Sequence, residues 1–318
     1  MYQDIVEEII AGRRLHRGEN VSFLVSGNLD ELKKGANQIR ESLCGDRADL
    51  CTIINGRAGK CSENCKFCAQ SSRYHTGAEE YGFLEEEKIS AACRESQEKG
   101  VHRFSVVTAG RTLGAEDYEK AVRAYRKMSG ECPGMKLCAS HGLLTAEQFR
   151  GLKESGVSRY HANIETSERY FPNICTTHSF QDKLDCIRAA KEAGLEVCSG
   201  GIIGLGESFE DRIDMAFTLS ESGIVSIPIN ALLPIEGTPL EGNKVLSEDE
   251  ILRTVVIFRF INPTAYIRLA AGRKLMRESG KEAFLSGANA AITGDMLTTS
   301  GNKTMQDREM LESIGFEL

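Results

Sequence analysis

The sequence predicts an α/β fold of the (β/α)8 TIM-barrel type, preceded by an N-terminal helical extension. Eight short β-rich runs alternate with longer segments of helical period from residue 48 onward. Such alternation implies parallel strands joined by right-handed helical crossovers, and eight strands are the number that closes this barrel. The length of 318 residues suits one such domain, and an open doubly wound sheet is the alternative architecture.

The element boundaries follow from strand composition and from the residues that start and stop helices. The predicted strands cover 48–55, 103–110, 135–140, 159–165, 196–204, 224–233, 265–272 and 288–293. The predicted helices between them cover 86–99, 116–129, 145–155, 180–194, 208–222 and 247–260. Thr145 and Ser247 precede acidic first turns as N-cap residues, and glycines follow four helical segments as stops. We expect residues 1–40 to form the helical extension and residues 41–318 to form the barrel domain.

Composition excludes several classes of function and indicates a compartment. Lys and Arg total 39 against 46 Asp and Glu, and the net charge of −7 argues against nucleic acid or an anionic membrane as partner. No run approaches the roughly 18 apolar residues of a membrane helix, and the N-terminus lacks the apolar segment of a signal peptide. We therefore expect a cytoplasmic protein whose 11 cysteines serve metal or catalytic sites before disulfides.

The strongest local signal is a group of three cysteines in a polar loop after the first predicted strand. Cys61, Cys65 and Cys68 have the spacing C-x3-C-x2-C, so one loop can wrap a single metal centre. Thiolates ligate zinc and iron–sulfur clusters, but structural zinc sites usually supply four ligands. Three local ligands would leave one iron of a four-iron cluster open to a small molecule, which is typical of a reactive centre.

This cysteine triplet is similar to the signature of the radical S-adenosylmethionine (SAM) superfamily. The resemblance implies a 4Fe–4S cluster on Cys61, Cys65 and Cys68, with SAM chelated at the open iron. It also implies reductive cleavage of SAM to a 5′-deoxyadenosyl radical. Phe67 matches the aromatic position that packs on the adenine in this superfamily.

Longer motifs narrow the resemblance to the biotin synthase family. The loop 61–77 reads CSENCKFCAQSSRYHTG, and it resembles the cluster loop of that family. The resemblance covers roughly residue 45 to the C-terminus. Further matches follow in order along the chain, and they comprise NIETS (163–167), VCSGGIIGLGE (197–207), PINAL (228–232), GTPL (237–240), YIRLAAGR (266–273), SGAN (286–289) and LTT (297–299). Membership in this family implies insertion of sulfur into dethiobiotin, an electron donor such as a flavodoxin or ferredoxin, and a homodimer.

The family resemblance also implies an auxiliary iron–sulfur cluster that donates the sulfur atom, commonly a 2Fe–2S cluster held by three cysteines and one arginine. Cys138, Cys198 and Arg268 match three of those ligands. A charged residue inside an apolar strand is costly unless it is paired, so Arg268 itself indicates an acceptor inside the barrel. Cys138 and Cys198 also lie mid-strand, where ordinary core packing is the alternative explanation.

One departure from the family pattern puts the usual auxiliary cluster in question. The first auxiliary ligand is usually a cysteine on the second strand, but this chain has Ser105 there, and an additional cysteine, Cys175, follows the fourth strand. Serine is a poor iron ligand beside thiolates. We therefore predict an auxiliary site rebuilt around Cys138, Cys198 and Arg268, with Cys175 as a candidate further ligand. A four-iron cluster with an additional sulfide is the expected content.

The resemblance assigns five residues to the substrate. Asn163 is expected to bind the ureido ring of dethiobiotin, and Asn230 matches a position near both substrate and cofactor. Thr298 and Thr299 match the pair that receives the dethiobiotin carboxylate. His161 replaces the family's usual asparagine, and it is either a polar contact to the substrate or a barrel histidine satisfied by its neighbours.

Four further residues are expected beside SAM. Glu165 replaces an aspartate but can still accept hydrogen bonds from the ribose hydroxyls, and Lys183 replaces an arginine near the methionine carboxylate. Gly200 and Gly201 begin inside a strand, so they do not form a dinucleotide-binding fingerprint. They fit a close approach of the backbone to SAM at the carboxyl end of a barrel strand, or a plain strand-to-helix turn.

Two other functions are open alternatives at this point. A sister enzyme of the hydrogenase-maturase or methylornithine-synthase type would share the barrel and the triplet, but should lack Cys138, Cys198 and Arg268 together. An iron–sulfur electron carrier would normally give each four-iron cluster four cysteines, and it would need no large barrel.

Overall fold

The computed structural model describes residues 2–294 and 303–318, and a closed parallel barrel forms its centre. The strands are β1 (Asp49–Arg57), β2 (Arg103–Thr108), β3 (Lys136–Ser140), β4 (Val157–His161), β5 (Glu196–Cys198), β6 (Gly201–Ile203), β7 (Ser226–Ala231), β8 (Tyr266–Leu269) and β9 (Ala290–Ile292). They pair in the order β5-β4-β3-β2-β1-β9-β8-β7-β6, and an additional pairing of β5 with β7 closes the sheet. All of these pairings are parallel. The predicted TIM-type barrel is confirmed, and the open sheet is wrong.

The eight predicted strands all form, but the fifth is divided into β5 and β6. The division falls at Ser199 and Gly200, where the strand passes close to the backbones of its neighbours. A Cβ on Gly200 would lie 2.0 Å from the carbonyl oxygen of Pro228, and one on Gly201 would lie 2.3 Å from that of Glu165. Both positions therefore require glycine for packing, whatever else they contact.

Helices surround the barrel as the alternation of the sequence predicts. They are α1 (Tyr2–Ile10), α2 (Phe23–Ser26), α3 (Leu29–Cys44), α4 (Glu86–Glu98), α5 (Ala115–Glu131), α6 (Ala146–Glu154), α7 (Phe180–Glu192), α8 (Phe209–Glu221), α9 (Glu248–Ile261), α10 (Lys281–Phe284) and α11 (Thr304–Ser313). Thr145 and Ser247 each form the predicted N-cap, with reciprocal hydrogen bonds to the third helical residue. Within the described residues, we find no helix with the length and apolar character to cross a bilayer.

The N-terminal extension packs on the outside of the barrel, mainly against α9. Its apolar residues, among them Val6, Leu24 and Ile39, are buried in the same core as the barrel helices. Helix α3 continues to Cys44, past the expected boundary at residue 40, before the chain enters β1. The C-terminal helix α11 is anchored by a buried ion pair, in which both terminal nitrogens of Arg273 lie 2.8 Å from the carboxylate oxygens of Asp307.

A buried histidine next to β3 makes the stability of the fold depend on pH. Nδ1 of His141 lies 3.0 Å from the Thr108 hydroxyl, and Nε2 lies 2.9 Å from the Tyr125 hydroxyl. Burial lowers the pKa of His141 to about 3. An unfolded histidine titrates near pH ~6.5, so below that pH the unfolded chain binds a proton that the folded chain excludes. Stability is therefore lost as the pH falls from about 6.5 toward 3.

We expect His141→Gln to reduce the pH dependence of unfolding of the metal-free chain. Between pH 6 and 4, His141 should contribute a slope of about 1.4 kcal/mol per pH unit, which the variant loses. Urea unfolding at several pH values measures this slope, and the exposed His16 provides the control variant, His16→Gln. Equal slopes in the wild type and His141→Gln would contradict the assignment.

Candidate active site

A single cavity of about 400 Å³ joins the cysteine triplet to the interior of the barrel. Cys61, Cys65 and Cys68 line it from the loop after β1, at the carboxyl ends of the strands. Cys138, Cys198 and Arg268 line it from within the strands. Its volume is in the range of ligand-binding pockets, and its position is that of the active site in TIM barrels. The two predicted cysteine groups therefore share one cavity.

The triplet loop is held by its own backbone hydrogen bonds. The Cys61 amide donates to the Gln70 carbonyl at 3.0 Å, and the Cys61 carbonyl accepts from the Ser72 amide at 2.8 Å. Phe67 lines the cavity from the same loop, and its packing on the adenine of SAM stays a prediction. Burial raises the pKa of the Cys68 thiol to about 11, and a bound metal would instead hold such a thiol as the thiolate. Three soft ligands facing one cavity mouth fit an iron–sulfur cluster.

Cys175 lies beside the triplet rather than beside the mid-strand cysteines. Its Sγ is 3.7 Å from Sγ of Cys65 and 3.4 Å from Nδ1 of His178. Ligand atoms of these three residues lie within 4.8 Å of one another, which is close enough to share a metal ion. The loop after β4 lies at the same end of the barrel as the loop after β1, and this explains the placement. The structure thus favours a place for Cys175 beside the triplet, and its candidate role as a ligand of the auxiliary cluster stays a prediction.

A buried acid–imidazole pair joins these two loops behind the triplet. Nδ1 of His178 lies 2.6 Å from a carboxylate oxygen of Glu63, and the Thr177 hydroxyl donates to the same oxygen at 2.8 Å. Although burial alone would raise it, these hydrogen bonds hold the pKa of Glu63 below its usual range. The pair fixes the start of the triplet loop against the segment that carries Cys175.

The carboxylate of Asp49 holds two arginines in the floor of the barrel. Arg268 donates to it at 2.5 Å, and Arg103 donates at 3.3 Å. Arg268 also donates to the backbone carbonyls of Asp49 and Ala291, each at 2.9 Å. Although burial alone would raise it, the two guanidinium groups hold the pKa of Asp49 well below its usual range. The charge of Arg268 thus has a carboxylate partner inside the barrel, and its expected role as a ligand of the auxiliary cluster stays a prediction.

Cys138 and Cys198 lie on either side of this charged group. Arg103 donates to Sγ of Cys138 at 3.5 Å. Sγ of Cys198 lies 3.4 Å from the Ser226 hydroxyl, which accepts from Arg268 at the same distance. Both thiols line the cavity and contact polar groups, so they differ from cysteines that only fill an apolar core.

Three residues of the floor were not assigned a role from the sequence. They are Cys51 on β1, Arg103 on β2 and Arg159 on β4. All three are buried, and all three line the cavity. The pKa of Cys51 is raised to about 12, mainly by burial and to a smaller extent by the neighbouring Cys138 thiol. The signal that identified Arg268, a charged residue inside an apolar strand, is also present at Arg103 and Arg159 and could have identified both.

The middle of the cavity carries the polar residues expected to contact the substrate. The Asn163 side chain accepts from the Gly200 amide at 3.0 Å, and the Asn230 side chain donates to the Gly201 carbonyl at the same distance. Both amides are therefore fixed in orientation while they line the cavity. Desolvation lowers the pKa of His161 to about 4, so the imidazole is neutral near pH 7. Thr298 and Thr299 lie outside the described residues.

The residues expected beside SAM are only partly gathered at the cavity. Glu165 lines the cavity, and its backbone is in the left-handed region (φ 68°). Nζ of Lys183 lies 3.9 Å from the Glu165 carboxylate. Lys183, Gly200 and Gly201 are not among the residues that line the cavity. Their contacts with SAM stay predictions. The two glycines are required in any case, because a Cβ at either position would clash with the backbone of a neighbouring segment.

We expect Asp49→Asn to destabilise the metal-free chain by about 3 kcal/mol, because it leaves two buried guanidinium groups without their anion. Denaturant unfolding at pH 7 measures the loss. Asp46→Asn is the control, since Asp46 is exposed and its partner, the buried Arg40, keeps its contacts with Glu41 and the Gly45 carbonyl. The control should cost no more than about 1 kcal/mol, and equal losses in the two variants would contradict the role of Asp49.

Comparison with known proteins gives consistent family matches over nearly the whole chain. Residues 57–219 match the Radical SAM superfamily, and residues 228–317 match the Biotin and Thiamin Synthesis associated domain. The chain is 61% identical to a biotin synthase of Alkaliphilus metalliredigens, with 98% of each chain covered. It is 58% identical to one of Clostridium beijerinckii, covering 99% of this chain and 100% of the relative.

Solved structures of lower identity share the fold. A methylornithine synthase superposes with a TM-score of 0.84 at 21% identity, covering 98% of this chain and 96% of that one. An FeFe-hydrogenase maturase from Carboxydothermus hydrogenoformans gives 0.82 at 16% identity, covering 99% and 78%. At these identities the likeness extends to the barrel architecture alone.

Proposed function

The chain belongs to the biotin synthase family of the radical SAM superfamily, and from this we propose that its cavity holds two iron–sulfur centres around one dethiobiotin molecule. It is a sulfur-inserting enzyme that uses SAM and iron–sulfur clusters. The observation that carries the proposal is the single cavity lined by the triplet at its mouth and by Cys138, Cys198 and Arg268 in its depth.

The residues of the chain fit two separate tasks along this cavity. When bound, the 4Fe–4S cluster with SAM supplies the radical that opens C–H bonds, and the auxiliary cluster supplies the sulfur atom. Cys61, Cys65 and Cys68 would hold the first centre, while Cys138 and Cys198 would hold the second. The guanidinium of Arg268 would face the second centre while it is held by the Asp49 side chain and by two backbone carbonyls.

Dethiobiotin would lie between these two ends. Asn163 and Asn230 are held by backbone groups, so their remaining hydrogen-bonding atoms are oriented in advance toward a ureido ring. His161 offers a neutral imidazole, which can hydrogen-bond the substrate without adding charge. The remaining lining is largely aliphatic and includes Ile53, Val107, Ile202, Leu232, Leu233 and Ile292. Such walls exclude water from reactive species.

Glu165 and Lys183 would contact SAM at the mouth of the cavity. Their charged groups lie 3.9 Å apart, so the lysine limits the cost of the partly buried carboxylate. The ribose hydroxyls are suitable donors to Glu165, and the methionine carboxylate is a suitable partner for Lys183. An external donor such as a flavodoxin or ferredoxin, a homodimeric assembly and a cytoplasmic location belong to the same proposal, and these rest on family resemblance.

The proposal is tested by anaerobic incubation with SAM, a reductant and dethiobiotin, followed by measurement of 5′-deoxyadenosine and biotin. We expect the wild type to form both products. Cys65→Ser should form neither, because it removes a ligand of the first centre. Cys198→Ser should still form 5′-deoxyadenosine but no biotin, because it removes only a ligand of the sulfur donor.

Cys186→Ser is the matched control for these two variants. Cys186 is buried on α7, with Sγ 3.7 Å from the Gly142 carbonyl, and it does not line the cavity. Its replacement should leave both products unchanged. Formation of 5′-deoxyadenosine without biotin by the wild type would favour a sister enzyme, and absence of SAM cleavage would favour an electron carrier.

A further inference from the structure

The floor of the cavity contains a thiol, that of Cys51, at a position where the family pattern assigns no ligand. Cys51 is buried on β1 and lines the same cavity as Cys138 and Cys198. Asp49 lies two residues before it on the same strand, so both side chains point to the same face of the sheet. That face is the barrel interior, because the Asp49 carboxylate accepts from Arg103 and Arg268 there.

The strand register places Cys51 next to the position where a ligand is missing. On β2, Ser105 is level with Cys138 of β3 and with Ile53 of β1. Cys51 is one inward-facing position below Ile53, level with Arg103. A step of two residues corresponds to roughly 6–7 Å along a strand, so a thiol at position 51 would draw a bound cluster deeper into the barrel than one at position 105.

An unpaired donor in the floor indicates that an anionic group belongs there. Arg159 lines the cavity with 3% of its surface exposed, and its Nε and Nη2 contact Glu196 at 3.0 and 2.8 Å. Its Nη1 is buried and has no hydrogen-bond partner among the described residues. An unsatisfied buried donor on a charged group is costly, and a bound anion would remove that cost.

The charges around this site favour the same kind of ligand. Three guanidinium groups, those of Arg103, Arg159 and Arg268, reach the floor, whereas the carboxylate partners are Asp49 and the half-exposed Glu196. The arginines therefore exceed the carboxylates by one charge. Thiolates and sulfides are negative and accept N–H hydrogen bonds, so a sulfide-rich cluster would balance this excess.

We infer that Cys51, Cys138 and Cys198 are the three thiolate ligands of the auxiliary cluster in this chain, and that Arg159 donates its free N–H to a sulfur of that cluster. The cysteine on β1 thus takes the place of the cysteine that is absent at Ser105. This inference rests on the proposed function, in which the barrel holds a second cluster, and it adds the ligand that the resemblance leaves open.

The test compares full-length variants reconstituted anaerobically with iron and sulfide. Iron and acid-labile sulfide per chain and the Mössbauer spectrum are measured for the wild type, Cys51→Ser and Cys132→Ser. Cys132 is the control because it is buried at the end of α5 and does not line the cavity. We expect the wild type and the control to hold more iron than one four-iron cluster, and Cys51→Ser to fall to the content of the triplet alone.

The double variant Cys51→Ser/Ser105→Cys separates loss of a ligand from general damage. It returns a thiol to the second-strand position, so we expect it to regain iron and sulfide beyond the triplet. Thermal unfolding of the metal-free variants verifies that each one folds. An unchanged iron content and Mössbauer spectrum in Cys51→Ser would overturn the inference, and so would a folded double variant that regains no iron.

Failure of the proposed function would give a different result. In that case the wild type itself would hold only the iron of the triplet, and Cys51→Ser would be indistinguishable from it. If the wild type holds the additional iron and Cys51→Ser keeps it, the second cluster stands and only the assignment of Cys51 fails.

Discussion

The partly buried carboxylate of Asp49 holds Arg103 and Arg268 in the floor of the barrel, and the arrangement of the deep cysteines depends on it. Arg103 contacts Cys138, while Arg268 reaches Ser226 and through it the neighbourhood of Cys198. A buried ion pair of this kind adds little net stability, because desolvation offsets the Coulomb attraction. Removal of the carboxylate is costly all the same, since two charges would stay behind. The group therefore determines geometry more than it stabilises the fold.

The barrel topology explains why two cysteine groups from distant parts of the sequence share one cavity. Loops that follow parallel strands meet at the carboxyl end, so the triplet after β1 and the segment after β4 lie together there. Side chains that alternate along the strands fill the interior below. In the proposed arrangement, a radical source at the mouth and a sulfur source in the depth would act on one enclosed substrate, and Asn163 and Asn230 line the same cavity.

Much of this could be predicted from the sequence, because the relevant signals are local. The helix starts at Thr145 and Ser247 depend on residues only a few positions away, and so do the eight strands. The cysteine triplet lies within a single loop. Cys51 could not be assigned in this way. Strands of a barrel are buried on both faces, so alternation alone does not say which face is the interior. Cys175 required knowledge of which loops meet, which depends on the closed sheet.

The proposed second cluster, with Cys51 on β1 among its ligands, can be observed by its iron. Anomalous diffraction at the iron edge, from crystals of the anaerobically loaded protein, tests it most directly. We expect two separate iron sites, the deeper one within bonding distance of the sulfur atoms of Cys51, Cys138 and Cys198. A single iron site at the triplet, or a deeper site that Cys51 does not contact, would contradict it.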